Sequence, residues 1–191
     1  MIVNERVVAY INSLDCGNSD ICNTIEKEAI ADEVPIIRKE MGNLLKVLLQ
    51  LVQPERILEV GTAVGYSSIL MSENMPEKCT ITTIENYDKR IPVARNNFKR
   101  AGKENVITLI EGDALEVLKT LEGPYDFIFM DAAKGQYINY LPDIKRVLRK
   151  GGLLISDNIL QEGELVESRY AVTRRNRTIH TRIREYVYEL T

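Results

Sequence analysis

The stretch RILEVGTAVGYS, residues 56–67, decides the fold of this chain. Its first half, Arg56–Gly61, is a short apolar run that ends in glycine, which is typical of a buried β-strand. Gly61 permits a tight turn, and Gly65 lets the next element pack close to a ligand. A helix is predicted from Tyr66 to Met75. The stretch therefore predicts a strand–turn–helix unit whose turn faces a ligand.

Four further strands follow this unit, and helices separate them. The strands are predicted at residues 79–85, 105–111, 125–130 and 153–156, and the helices at 88–101, 114–121, 137–149 and from about 178 to the end. Three helices precede the unit, at residues 4–14, 20–33 and 36–52. This alternation predicts an α/β fold with a doubly wound, mostly parallel sheet and helices on both faces. The 191 residues suit one domain, with a helical lid segment at 1–53 and the core at 54–191.

Acidic residues follow the strands at the edge where such sheets bind ligands. The second strand ends at Glu85, where a carboxylate can accept hydrogen bonds from both hydroxyls of a ribose. The third leads to Asp113, which could lie beside an adenine amine. Each signal has a plainer interpretation: Gly65 packs a helix, Glu85 is an ordinary strand exit, and Asp113 caps the helix that begins at Ala114. Together they predict a nucleoside-bearing cofactor without a polyphosphate, since no dinucleotide motif or P-loop is present.

Hard oxygen ligands follow the last two strands. Asp131 follows the fourth strand, and Asp157 and Asn158 follow the fifth. If these strands are neighbours, the three side chains converge and suit Mg²⁺, Mn²⁺ or Ca²⁺ rather than zinc. Lys134 could act as a base at the same place. The plainer alternatives are that Asp157 and Asn158 turn the chain and that Lys134 is solvated.

The composition excludes several classes of protein. The three cysteines form no C-x-x-C pair, so neither a disulfide framework nor a zinc site is indicated. No apolar run reaches the roughly 20 residues of a membrane span, and we expect a cytoplasmic protein. The net charge is −3, but six arginines and no acid occupy residues 169–184. This block is either a solvated surface or a phosphate-binding patch.

Five motifs link the chain to a known family: EVGTAVGYSS (59–68), ITTIE (81–85), EGDALE (111–116), FMDAAKGQY (129–137) and LISDNIL (154–160). With them the chain resembles the cation-dependent O-methyltransferases, which include catechol and caffeoyl-CoA O-methyltransferases. The resemblance implies a Rossmann-like class I methyltransferase fold with S-adenosylmethionine as cofactor. The implied cofactor site comprises Ile37, Glu59, Gly61, Ser67, Glu85, Asp113, Ala114 and Asp131. The implied metal ligands are Asp131, Asp157 and Asn158, and the implied catalytic residues are Lys134, as general base, and Asp131.

The acceptor is the least determined part of the prediction. A metal that binds two adjacent oxygens suits both a catechol and 5-hydroxyuridine. The tail SRYAVTRRNRTIHTRIREY (168–186) is similar to bacterial tRNA 5-hydroxyuridine methyltransferases. We therefore expect a wobble hydroxyuridine of tRNA as acceptor, with phosphate contacts from Arg174, Arg175 and Arg177. The alternatives are a small catechol-like metabolite and a non-catalytic module that binds an adenosyl nucleoside.

The resemblance also bears on the edge of the sheet and on assembly. Members of the family usually continue after the last helix into two strands that complete the sheet as an antiparallel edge. Since the sequence stops at Thr191, we expect those edge strands to be absent from this chain. We expect a homodimer.

Overall fold

The computed structural model describes residues 4–191. It contains one five-stranded sheet with the order β3-β2-β1-β4-β5, and every neighbouring pair is parallel. The strands are β1 (Arg56–Val60), β2 (Thr80–Glu85), β3 (Ile107–Glu111), β4 (Tyr125–Met130) and β5 (Leu148–Ser156). The order reverses between β1 and β4, so the predicted doubly wound topology is confirmed. Ligands bind at such a switch point.

In the described part of the chain, residues 4–191, eight α-helices surround the sheet. Three precede it: α1 (Glu5–Ser13), α2 (Asp20–Ala31) and α3 (Lys39–Val52). The others are α4 (Tyr66–Asn74), α5 (Ile91–Arg100), α6 (Ala114–Thr120), α7 (Tyr137–Val147) and α8 (Arg177–Leu190). Short 3₁₀ turns occur at Lys134–Gln136 and Gln161–Val166. Within residues 4–191, no helix combines the length and the apolar character needed to cross a membrane.

Each face of the sheet carries its own hydrophobic core, because the central strands are covered on both sides. All six residues of β4 are buried. Leu45, Ile57 and Phe98 belong to the core that lies against α2–α5. Leu58 and Tyr186 belong to the core that lies against α6–α8. Ile57 and Leu58 are consecutive in β1, so their side chains point to opposite faces, as strand geometry requires.

Several predicted boundaries are shifted: the helix predicted at 88–101 spans Ile91–Arg100, the strand predicted at 105–111 begins at Ile107, and the helix predicted at 20–33 ends at Ala31. Two further shifts involve tertiary contacts. The helix expected from Ile36 begins at Lys39, and Arg38 before it has extended backbone angles. The reason is tertiary, since the extended segment buries Ile37 in the core beneath α4. The helix expected to reach 149 ends at Val147, and residues 150–152, expected as a turn, lie within β5. An irregularity in the pairing of β4 with β5 accommodates these extra residues.

Candidate active site

A cavity of about 530 Å³ opens at the carboxyl ends of the central strands. We call it the main cavity. Most of the residues predicted to form the site lie on its wall: Ile37, Gly61, Ser67, Glu85, Ala114, Asp131, Lys134, Asp157 and Asn158. These residues come from the turns after all five strands and from the extended segment before α3. The structure therefore brings the predicted cofactor end and metal end into one cavity, although Glu59 and Asp113 are not on its wall.

Two glycines shape the turn between β1 and α4. Gly61 has a φ of +106°, and a Cβ there would lie 2.3 Å from the carbonyl oxygen of Asp131. Gly65 has a φ of +83°, and a Cβ there would lie 2.5 Å from Cε1 of Phe98. Both positions therefore require glycine, for backbone conformation and for space. The turn passes directly over the exit of β4.

Glu59 lies beneath the main cavity and not on its wall. Its side chain is fully buried and accepts hydrogen bonds from Ser67 at 2.5 Å, from Thr83 at 2.6 Å and from Ser68. Burial raises the pKa of Glu59 to about 7, and the three hydroxyl groups partly oppose this shift. Glu59 is linked to the cavity wall through Ser67, and its contact with a cofactor stays a prediction.

Glu85 is held at the end of β2 by backbone donors. Its Oε2 accepts from the N–H of Ala63 at 2.8 Å, and its Oε1 accepts from the N–H groups of Asn86 and Tyr87, each at 3.0 Å. These bonds tie the first turn to the end of the second strand. A carboxylate oxygen accepts more than one hydrogen bond, so Glu85 retains acceptor capacity toward the cavity.

Asp113 is the N-cap of α6. Its Oδ1 accepts from the N–H of Leu115 at 2.8 Å, and the residue is exposed. The geometry therefore shows the helix-capping role of Asp113, which is the plainer of its two interpretations. Gly112 and Ala114, on either side of it, do line the main cavity. Contact between Asp113 and an adenine stays a prediction.

The metal end of the cavity brings two carboxylates together. Burial raises the pKa of Asp131, the negative charge of Asp157 raises it further, and Lys134 partly offsets both. The Nζ of Lys134 lies 3.8 Å from Oδ1 of Asp131. The N–H of Asp157 donates to the Met130 carbonyl at 2.9 Å, which places Asp157 beside the end of β4. The predicted convergence of these side chains is therefore observed.

The donor set limits which metal could fit. Within residues 4–191 there is no cluster of three or more histidine, cysteine, aspartate or glutamate side chains arranged around one point. Asp131 and Asp157 supply the only carboxylates of the predicted set, and Asn158 adds an amide. Two like charges in a partly buried place are favourable only beside a cation. The set fits a hard cation that keeps positions open for other ligands.

The arginine block divides into two groups. Arg177, Arg182 and Arg184 donate to the backbone carbonyls of Val172, Gly135 and Glu167, respectively. Arg169, Arg174 and Arg175 are exposed. None of the three arginines predicted to bind phosphate lies on the main cavity. Part of the block therefore has a structural role, in fixing the loops that precede α8.

A second cavity, which no sequence pattern predicts, lies beside the predicted metal ligands. It has a volume of about 350 Å³, and Lys134 and Asn158 belong to both cavities. Its other lining residues are Gln161, Glu162, Glu164, Asn176 and Ile179. Glu162 forms an ion pair with Arg38 of the main cavity. Glu164 accepts from the amide of Asn176 at 3.0 and 3.2 Å.

The sequence matches the family model described as O-methyltransferase over residues 18–187. The chain belongs to this O-methyltransferase family. Catechol O-methyltransferase of Niastella koreensis is 35% identical over 170 residues, which cover 85% of this chain and 76% of that protein. Caffeoyl-CoA O-methyltransferase 2 of Populus trichocarpa is 36% identical over 135 residues, which cover 65% of this chain and 53% of that protein.

Solved structures of methyltransferases share the fold. The methyltransferase of Podospora anserina, solved with S-adenosylhomocysteine (SAH), has a TM-score of 0.87 and 27% identity and covers 97% of this chain and 85% of its own. The O-methyltransferase of Streptomyces achromogenes involved in tomaymycin synthesis was solved with S-adenosylmethionine. It has a TM-score of 0.86 and 26% identity, and the match covers 100% of this chain and 87% of that chain. The predicted Rossmann-like methyltransferase fold is confirmed.

Proposed function

We propose that the protein transfers a methyl group from S-adenosylmethionine to a hydroxyl of a small, catechol-like acceptor, with the help of a divalent metal. The observation that carries the proposal is the shared cavity. Asp131, Lys134, Asp157 and Asn158 lie at one end of it, after β4 and β5, and Glu85, Gly112 and Ala114 lie at the other, after β2 and β3. One cavity can thus hold a methyl donor beside an acceptor. The relatives named for catechol and caffeoyl-CoA support the reaction type.

The cofactor is assigned to the end of the main cavity formed by β1, β2 and β3. Glu85 would bind the ribose hydroxyls, Gly112 and Ala114 would border the adenine, and Ser67 would face the methionine part. The cofactor supplies a methyl group on an electrophilic sulfonium. The two solved structures with bound SAH or S-adenosylmethionine support this assignment, because they share the fold.

The metal is assigned to Asp131, Asp157 and Asn158. The convergence of two carboxylates with an amide oxygen supports Mg²⁺, Mn²⁺ or Ca²⁺. When bound, such a cation lowers the pKa of a hydroxyl that it coordinates and fixes the orientation of that hydroxyl. We assign Lys134 as the general base, because its Nζ lies at the same end of the cavity and within reach of both cavities.

The second cavity is assigned to the rest of the acceptor. Two of its lining residues, Glu162 and Glu164, are acidic; within residues 4–191, Glu162 pairs with Arg38 and Glu164 forms no ion pair. A carboxylate without a cation repels an anionic substituent. This lining favours a small neutral or cationic acceptor over a polyanion. It is the reason for placing a catechol-like molecule before tRNA.

A wobble 5-hydroxyuridine of tRNA is the second candidate. It also offers two adjacent oxygens, and the exposed Arg174 and Arg175 favour it. The test is a double variant, Arg174→Ala with Arg175→Ala, with Arg177→Ala made separately because Arg177 holds the Val172 carbonyl. If tRNA is the acceptor, the double variant weakens tRNA binding and flattens its dependence on salt concentration.

A methyl-transfer assay decides between the candidates. A neutral catechol and hydroxyuridine-containing tRNA are compared as acceptors, each with and without EDTA and with Mg²⁺ added back. The proposal expects transfer to the catechol that EDTA abolishes and Mg²⁺ restores. Transfer to tRNA alone would favour the second candidate, and transfer that resists EDTA would contradict the metal. A homodimer and a cytoplasmic location stay predictions.

A further inference from the structure

The carboxylate of Glu59 is the centre of a buried hydroxyl network below the main cavity. Its Oε1 accepts from the Ser67 hydroxyl at 2.5 Å, and its Oε2 accepts from the Thr83 hydroxyl at 2.6 Å. The Ser68 hydroxyl also donates to Oε2. Glu59, Ser68 and Thr83 have no exposed surface, whereas Ser67 lies on the cavity wall. The three buried side chains can therefore influence a ligand only through others.

Thr83 has a second neighbour in the network. Its Oγ1 lies 2.6 Å from Oγ1 of Thr62, which also lines the main cavity. A threonine hydroxyl has one proton, and the Thr83 proton is donated to Glu59, so Thr62 is the donor to Thr83. Thr83 thus connects to two residues of the cavity wall, to Thr62 directly and to Ser67 through Glu59.

The loss of the Thr83 hydroxyl would disturb both connections. Oε2 of Glu59 would keep only the Ser68 donor, and the buried Thr62 hydroxyl would lose its acceptor. A buried carboxylate is costly unless it is fully hydrogen-bonded, so Glu59 would move toward other donors. Ser67 would then lose its fixed orientation. Thr83 is fully buried on β2 and does not line the main cavity, so it touches neither the proposed metal ligands nor a bound ligand directly.

We propose that Thr83 is a positioning residue for cofactor binding, which acts through Glu59 and Thr62 on the part of the cavity wall that includes Ser67. The proposal rests on the assignment of S-adenosylmethionine to the main cavity. Thr83 sets the affinity for the cofactor and has no part in the chemical step. Ser68 supports the same carboxylate from α4.

The test compares Thr83→Val, which keeps the shape and removes the hydroxyl, with Thr83→Ser, which keeps the hydroxyl. The dissociation constant of SAH is measured by calorimetry, and kcat and KM are measured for S-adenosylmethionine. Thr83→Val is expected to raise Kd and KM by about tenfold, the size of one lost charge-assisted hydrogen bond, with kcat nearly unchanged. Thr83→Ser is expected to keep both Kd and KM near the wild-type values.

Thr82→Val is the matched control, because Thr82 is the neighbouring residue of β2 and its hydroxyl accepts from Tyr125 on the other face. It is expected to leave Kd unchanged. If Thr83→Val does not fold, Ser68→Ala removes another donor to Oε2 and is expected to weaken SAH binding in the same way. Wild-type affinity in Thr83→Val, or an effect on kcat alone, overturns the positioning role. Failure of the wild-type protein to bind SAH overturns the cofactor assignment itself.

Discussion

The backbone of Gly61 packs against the backbone of Asp131, so closely that a Cβ at position 61 would lie 2.3 Å from the Asp131 carbonyl oxygen. The N–H of Asp131 in turn donates to the Val60 carbonyl at 3.0 Å. The turn that borders the proposed cofactor and the strand exit that carries a proposed metal ligand are thus one rigid unit. Their spacing is fixed by backbone contacts and not by flexible side chains.

The first prediction concerns this contact. Gly61→Ala combines a left-handed backbone angle with an overlap against backbone atoms, and we expect a loss of about 3 kcal/mol or more in the free energy of unfolding. Urea unfolding followed by circular dichroism measures it. Gly135→Ala is the control, because its Cβ would meet Ile179 at an ordinary 3.5 Å. Equal unfolding midpoints in the two variants would contradict the close packing.

The second prediction concerns the pH dependence of stability. Burial raises the pKa of Glu59 from 4.5 to about 7 in the folded protein. Because the folded-state pKa is raised, Glu59 stabilises the fold below pH 4.5, and this contribution is lost as the pH rises to about 7. The loss is about 3 kcal/mol. We expect Glu59→Gln to lack this slope in urea unfolding, while Glu104→Gln, at an exposed position, keeps it. An unchanged slope in Glu59→Gln would show that the carboxyl is not perturbed.

The third prediction concerns the metal ligands. Asp157→Ala removes one of the two converging carboxylates, and we expect a loss of at least about 100-fold in activity. Titration with Mg²⁺ in a calorimeter is expected to show binding to the wild-type protein and much weaker binding to the variant. Asp88→Ala, at an exposed residue after β2, controls for charge. Mg²⁺ binding that survives Asp157→Ala would remove Asp157 from the site.

The fourth prediction concerns Lys134. Lys134→Met keeps the length of the side chain and removes the amine, and we expect kcat to fall by about 10²- to 10⁴-fold, as for loss of a general base. The affinity for SAH is expected to stay at the wild-type value. Lys145→Met, on the exposed side of α7, is the control. If Lys134→Met loses affinity for SAH but keeps the wild-type kcat, Lys134 acts in cofactor binding and not as the base.

The fifth prediction concerns the charge of the acceptor. Glu164 has no cationic partner in the described part of the chain, residues 4–191, and its carboxylate lines the second cavity. We expect Glu164→Gln to raise KM for a catechol with an ammonium group and to lower KM for one with a carboxylate. Glu167→Gln removes the same charge from an exposed position outside the cavity and should change neither. If Glu164→Gln shifts KM equally for both catechols, their charged substituents do not lie in the second cavity.

Local sequence patterns predicted most of the fold and most of the cavity wall. Each strand is a short apolar run, and the residue at its end reaches the ligand edge because parallel strands all end on the same side. Glu85, Asp131 and Asp157 were found in this way. The interpretation of Asp113 stayed open, because an aspartate before a helix both caps it and faces the same edge. Only the hydrogen bond to Leu115 shows the capping role.

Other features depend on contacts between distant segments, which no local pattern records. The segment before α3 is extended because Ile37 is buried in the core, although Pro35 favours a helix start. Residues 150–152 join β5 because β4 offers it a partner, although two glycines favour a turn. Glu162 and Glu164 line the second cavity because the loop after β5 folds against Arg38 and Asn176.

The sequence by itself determined that the turn of residues 61–65 lies at the ligand edge of the sheet, but not that Gly61 borders the main cavity while Gly65 packs against Phe98. The tertiary structure decided that Gly61 meets Asp131, that Glu59 lies below the main cavity, and which charged side chains line the second cavity. The physical reason is the range of the interactions. Strand and turn preferences act between neighbours in the chain, whereas burial, close backbone contact and electrostatic pairing join residues that are up to 124 positions apart.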